Sequence, residues 1–162
     1  MYLCTSFIQN TLNTISLKAI YFDFKAITKA GLAVSVVFSS IAGFLLGVTD
    51  LASLSGVVLL KLIIGGYCMV GASNAFNQVI EKDLDALMDR TKNRPIPSGR
   101  MESNMALIIA FALTILGIVL LYTINPKSAM FGAISIFLYT SVYTPLKTVT
   151  SLSAVSYTHL RA

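Results

Sequence analysis

Uncharged stretches divide this chain, and they set what it can fold into. Residues 30–49 carry no charge, and 62–80 are likewise uncharged, preceded by 51–60 with only Lys61 between. Residues 103–126 and 128–146 are uncharged as well. A helix needs roughly 20 apolar residues to cross the hydrocarbon core of a bilayer. In lipid every backbone polar group must be satisfied within the chain, which favours helices. The runs predict spans near 30–49, 57–77, 105–124 and 129–146. The fold class is therefore all-α, a polytopic transmembrane helical bundle.

Composition agrees. Hydrophobic residues make up 56% of the chain and charged residues 12%, and the mean hydropathy is +0.78. A soluble domain is usually about a quarter charged. Cys4 and Cys68 lie too far apart to suggest a metal knuckle or redox pair. The net charge of +5 would suggest nucleic acid in a soluble protein. Here it reads as basic residues holding loops in the cytoplasm, so the expected partner is the lipid bilayer and no nucleic acid is expected. With a cytoplasmic N-terminus, the inner side receives Lys18, Lys25, Lys29, Lys82, Arg90, Lys92, Arg94, Arg100 and Lys147. The outer side receives Lys61 and Lys127, with Arg161 set aside. Lys61 falls about one turn inside the outer face, where its stem can snorkel to water.

Residues 1–29 lack a signal-peptide pattern. They read as a cytoplasmic, interfacial segment in which Ile20, Phe22, Phe24 and Ile27 alternate with Lys18, Asp23 and Lys25. Gly43-x3-Gly47 and the cluster Gly65, Gly66, Gly71, Ala72 and Ser73 predict helix-packing faces.

The connection at 81–102 holds five of the seven acids and five of the twelve bases. Asn77, Glu81 and Asp85 stand at i, i+4 and i+8. Each step of four advances about 40° around a helix, so the three oxygen-bearing side chains share a face. Asp89 would continue that stripe, and Asp83 would point elsewhere. A carboxylate at the end of an apolar span needs a polar cavity or a cation. Hard oxygens without His or Cys suit Mg²⁺, which keeps waters and bridges to substrate phosphates. Arg90, Lys92, Arg94 and Arg100 follow at once, and Pro95, Pro97 and Ser98-Gly99 turn the chain back. Arginine forks and lysine charges are phosphate binders. The combination predicts a lipophilic diphosphate substrate. No Ser or Cys nucleophile or His base accompanies it, which suits metal-assisted departure of diphosphate and capture of an allylic cation by an electron-rich partner.

At these residues the chain closely resembles the UbiA superfamily of intramembrane prenyltransferases. The resemblance rests on Asn77-x3-Glu81-x3-Asp85, Met88-x-Arg90-Thr91, Arg94-Pro95, Lys29 before the first span, and Tyr143-Thr144-Pro145-Leu146-Lys147. It runs from about Leu17 through Ser153. It implies that Asn77, Glu81 and Asp85 form the catalytic Mg²⁺–diphosphate motif. Arg90, Lys92, Arg94 and Lys29 would be diphosphate contacts, although Ala30 follows Lys29 where family members often have proline. Glu81 at the first acidic position looks like the haem-farnesylating branch. That branch implies farnesyl diphosphate as donor and haem b as acceptor, with haem O as product for haem–copper oxidase biogenesis. It also implies a multi-pass protein of the bacterial inner membrane. Relatives acting on 4-hydroxybenzoate usually carry aspartate at the position of Glu81. A different class, a non-enzymatic four-helix membrane subunit, would need no metal. Phosphatidyltransferases use a glycine-containing acidic motif that Asp83, Asp85 and Asp89 do not match.

The family has about nine spans and a second acidic motif, whereas four spans are expected here. Residues 156–162 depart from the family's continuation and read as a non-native tail. The expected organisation is an N-terminal segment at 1–29, the N-terminal part of a prenyltransferase domain at 30–155, and that tail. The chain is expected to be an N-terminal fragment, inactive alone, and His159 is not expected to bind haem.

Overall fold

A computed structural model describes residues 17–48 and 55–145, and every element in them is helical. The order is α1 (Leu17–Ile27), α2 (Ala30–Gly47), α3 (Gly56–Ile80), the short α4 (Lys82–Leu87), α5 (Ser103–Tyr122) and α6 (Pro126–Leu138). A single π-turn, Tyr139–Tyr143, continues α6. The 156–162 tail, His159, Cys4 and Lys147 lie outside the described residues.

Three helices, α2, α3 and α5, are long and apolar enough to cross a membrane, with mean hydropathies of 2.0, 1.8 and 2.7. The expected fourth span differs from an unbroken α-helix. α6 covers 13 residues, starts on Asn125, whose side chain accepts from Lys127 N, and has Pro126 in its first turn. It then passes into the π-turn and on through Thr144 and Pro145. The helical path 126–145 could still cover about 30 Å.

The central helix is α3. It packs most extensively on α5, next on α2, and also touches α1, α6 and the π-turn. The α3–α5 crossing is close because glycines leave room: a Cβ on Gly117 would lie 3.2 Å from Gly65 O. Gly71 takes Thr28 at similar range. The Gly65–Gly71 face is thus a packing face, as expected. Gly43 and Gly47 have nothing within 4 Å of a would-be Cβ, so Gly43-x3-Gly47 is not a packing face among the described residues.

Phe38, Leu46, Ile108 and Phe131 point outward, an arrangement that lipid rewards and water does not. The interior is small-residue-rich. One cluster joins Ile27, Ala75, Ile96, Ala106 and Ala110, so the end of α1, α3, the 88–102 connection and α5 meet at one place. An edge-to-face pair, Phe76–Phe111 at 5.1 Å, lies beside it. That end of the bundle carries the charged connection.

Candidate functional site

α3 delivers Asn77 in its last turn and stops at Ile80. Glu81 leaves helical geometry (φ −96°, ψ 8°), and α4 resumes at Lys82. The hydrogen-bond ladder nevertheless runs through the break, Glu81 N to Asn77 O at 3.0 Å and Asp85 N to Glu81 O at 2.8 Å. The stripe therefore survives. Asn77, Glu81 and Asp85 are 2%, 5% and 4% exposed, while Lys82, Asp83 and Leu84 are on the outside. The acids at 83 and 85 sit in the first turn of α4, where the helix dipole favours negative charge.

Met88 is extended and ends α4, so Asp89 leaves the stripe. Its side chain is 97% exposed and pairs with Lys92 at 2.7 Å. After Met88 the chain runs as a series of turns closed by Thr91 N–Met88 O, Arg94 N–Thr91 O and Met101 N–Pro95 O. Ile96 is buried between the two prolines and anchors these turns in the core. Gly99 takes φ 74°, a left-handed conformation that suits a residue without Cβ. The result is a fold-back: Thr91 Oγ1 donates to Asp85 O at 2.9 Å, and the Arg94 guanidinium donates to the Asp85 carboxylate.

Glu81 is held differently. Asn77 Nδ2 donates to Glu81 Oε2 at 2.9 Å. The other end of that amide, Oδ1, accepts from Thr144 Oγ1 at 3.2 Å. Asn77 thus faces Glu81 with its donor end.

Of the expected diphosphate contacts, the structure brings Arg94 onto the acidic face. Arg90 is exposed, and Lys92 is engaged with Asp89. Arg100 reaches back to Asp23 Oδ1 at 3.1 Å and to Asn93 O at 2.9 Å, joining α1 to the charged connection. Lys29 occupies the left-handed region (φ 48°, ψ 57°) between α1 and α2, the only such non-glycine residue among those described.

Two residues that sequence reasoning passed over hold that turn. Gln78 Nε2 donates to Ala26 O and Ile27 O at 3.1 and 2.8 Å. Asn74 Nδ2 donates to Thr28 O at 3.2 Å. These carbonyls lie at the end of α1 and in the turn after it, where the regular helical ladder stops; Ala26 O also accepts from Lys29 N at 3.4 Å. The signal was present: two amides one turn apart within an apolar span, where unpaired polar groups are costly.

Among the described residues no group of three or more His, Cys, Asp or Glu could cage a metal. The donor set on the stripe is two buried carboxylates. Mg²⁺ is commonly held by one or two carboxylates, waters and substrate phosphates, so hard-oxygen chemistry of this kind fits a magnesium–diphosphate pair.

The model of the UbiA prenyltransferase family matches residues 36–158. The chain belongs to this family. It is 74% identical over 141 residues to a protoheme IX farnesyltransferase of Flavobacterium johnsoniae, covering 87% of this chain and 47% of that protein. A protein of the same name from Flavobacterium psychrophilum is 70% identical over 146 residues, covering 90% and 49%. One from Christiangramia forsetii is 66% identical over 131 residues, covering 81% and 43%. The chain spans about half the length of these UbiA relatives. No solved structure matches it.

Proposed function

We propose that this chain is part of an intramembrane transferase that moves a farnesyl group from farnesyl diphosphate to haem b, giving haem O for haem–copper oxidases. The observation that carries the reading is the buried pair Glu81 and Asp85, presented with Arg94 at the end of an apolar bundle. The names of the UbiA relatives supply the acceptor.

In this reading Glu81 and Asp85 hold Mg²⁺, which when bound neutralises the charge that builds on diphosphate as the carbon–oxygen bond breaks. Asn77 orients Glu81 by its amide donor. Arg94 holds Asp85 and lies where its remaining donors can meet a phosphate oxygen. Lys29, fixed by the Gln78 and Asn74 clamp, is a further phosphate contact, and Arg90 and Lys92 guide the anion from the rim. The apolar helices shield the allylic cation from water until the electron-rich terminal vinyl carbon of the acceptor bonds to it. The positive charge this leaves on the neighbouring carbon, beside the porphyrin ring, is taken up by water, which adds as a hydroxyl and releases a proton. The site faces the cytoplasm of a bacterial inner membrane. This orientation is supported by the nine-to-two distribution of basic residues and by the Asp23–Arg100 pair, which puts α1 and the charged connection at one end.

The test is farnesyl transfer by the complete gene product in lipid, with farnesyl diphosphate, haem b and Mg²⁺. Haem O formation that stops when Mg²⁺ is chelated is expected. Transfer to 4-hydroxybenzoate in place of haem would overturn the acceptor, and no diphosphate release with any acceptor would overturn the reaction class.

A further inference from the structure

Thr144 is fully buried, and it arrives at Asn77 because the last helix widens for one turn. Its backbone N–H donates to Tyr139 O, five residues back. A π-turn adds one residue to a helical turn, so the side chains that follow are rotated by about one residue's arc from their places in an unbroken α-helix. Such turns cost regular hydrogen bonding and recur at functional sites. Here Tyr139 and Tyr143 stack across the turn at 5.3 Å, with their rings 20° apart.

The rotation brings the Thr144 hydroxyl to 2.8 Å from Tyr139 O and 3.2 Å from Asn77 Oδ1, so its single proton is shared between the two oxygens in a three-centre bond. A side-chain amide has one acceptor end and one donor end. With its oxygen against Thr144, Asn77 directs its NH₂ to Glu81 Oε2. All three side chains are at most 5% exposed, so water does not compete for these bonds. A hydrogen bond on the amide oxygen also strengthens the N–H as a donor.

We propose that Thr144 is a positioning residue for the diphosphate site: through Asn77 it holds the Glu81 carboxylate in place, and the π-turn exists to present it. This inference rests on the diphosphate reading above and adds to it a residue from the last helix. Thr144 touches no substrate in this account. Its effect is transmitted by one amide.

The test is calorimetric binding of Mg²⁺ plus inorganic diphosphate to the complete gene product in detergent, a readout independent of turnover. Thr144→Val keeps the shape and deletes the hydroxyl. It is expected to weaken binding about tenfold, while Thr144→Ser stays within about twofold of the parent. In an Asn77→Ala background, Thr144→Val is expected to add less than about a twofold loss, because the path runs through that amide. Where Thr144→Val fails to fold, Thr144→Ala runs the same cycle. Parent-like binding by the hydroxyl-free variants would overturn the inference, as would a full tenfold loss in the Asn77→Ala background. A parent protein that binds no diphosphate would remove the site reading and this inference with it.

Discussion

Arg94 and Asp85 form an ion pair in which the arginine side chain is 24% exposed and the aspartate side chain 6%. They stand nine positions apart in the chain, and the turns between curl so that the pair can close. Asp85 also receives Thr91 on its backbone carbonyl, so the acid is tied to the fold-back at two atoms.

Removing one partner of a buried pair leaves an uncompensated charge, which costs about 3–5 kcal/mol when burial is complete. With arginine partly exposed, Arg94→Gln should cost less, about 2 kcal/mol, and should lower the melting temperature in detergent. Arg94→Gln with Asp85→Asn should recover part of that loss, since the stranded charge is gone. A melting temperature unchanged in Arg94→Gln would make the pair a screened surface contact.

Gln78 binds two terminal carbonyls of α1 from the last turn of the central helix. Gln78→Leu keeps bulk and leaves both carbonyls without that donor, a loss of about 1–3 kcal/mol. Hydrogen exchange at residues 24–29 should quicken by about tenfold or more, with α5 little affected. Diphosphate affinity should fall too, through Lys29. Unchanged exchange at 24–29 would show that the rest of the packing holds the turn alone.

Orientation gives a prediction of its own. A reporter inserted after Lys92 should report cytoplasm, and one at Lys127 the opposite side. The Asp23–Arg100 bond requires α1 and the charged connection to share a face whichever side that is. A reporter at Lys92 found outside would reverse the site's side of the membrane.

Much of this architecture is legible in the sequence because lipid imposes a blunt rule. Uncharged runs of the right length became α2, α3 and α5, with ends within about three residues of those expected. The stripe of Asn77, Glu81 and Asp85 was equally legible, since a four-residue step is a local property that survived the break at Glu81. What depended on neighbours was not. Gly43-x3-Gly47 has the right spacing for packing, and among the described residues no helix lies against it. Asp89 continues the stripe by arithmetic, yet Met88 turns the chain away first. Nothing in Tyr139-Thr-Ser-Val-Tyr143 announces a π-turn, and the contact that follows it, Thr144 on Asn77, joins residues 67 positions apart in sequence. The clamp from Asn74 and Gln78 could have been suspected from two amides in an apolar span, but its target could not.

The central claim is that one helical face, and not a solvated loop, holds the diphosphate. Three charge-deleting variants of the complete protein test it most directly: Glu81→Gln, Asp85→Asn and Asp83→Asn, compared by the rate of haem farnesylation at saturating Mg²⁺. Losing one preorganised electrostatic partner of a transition state typically costs about 10²–10³ in rate. Glu81→Gln and Asp85→Asn should each fall by about that factor, while Asp83→Asn, on the exposed side of α4, should stay within about threefold of the parent. An equal loss in all three, or none in any, would contradict the account.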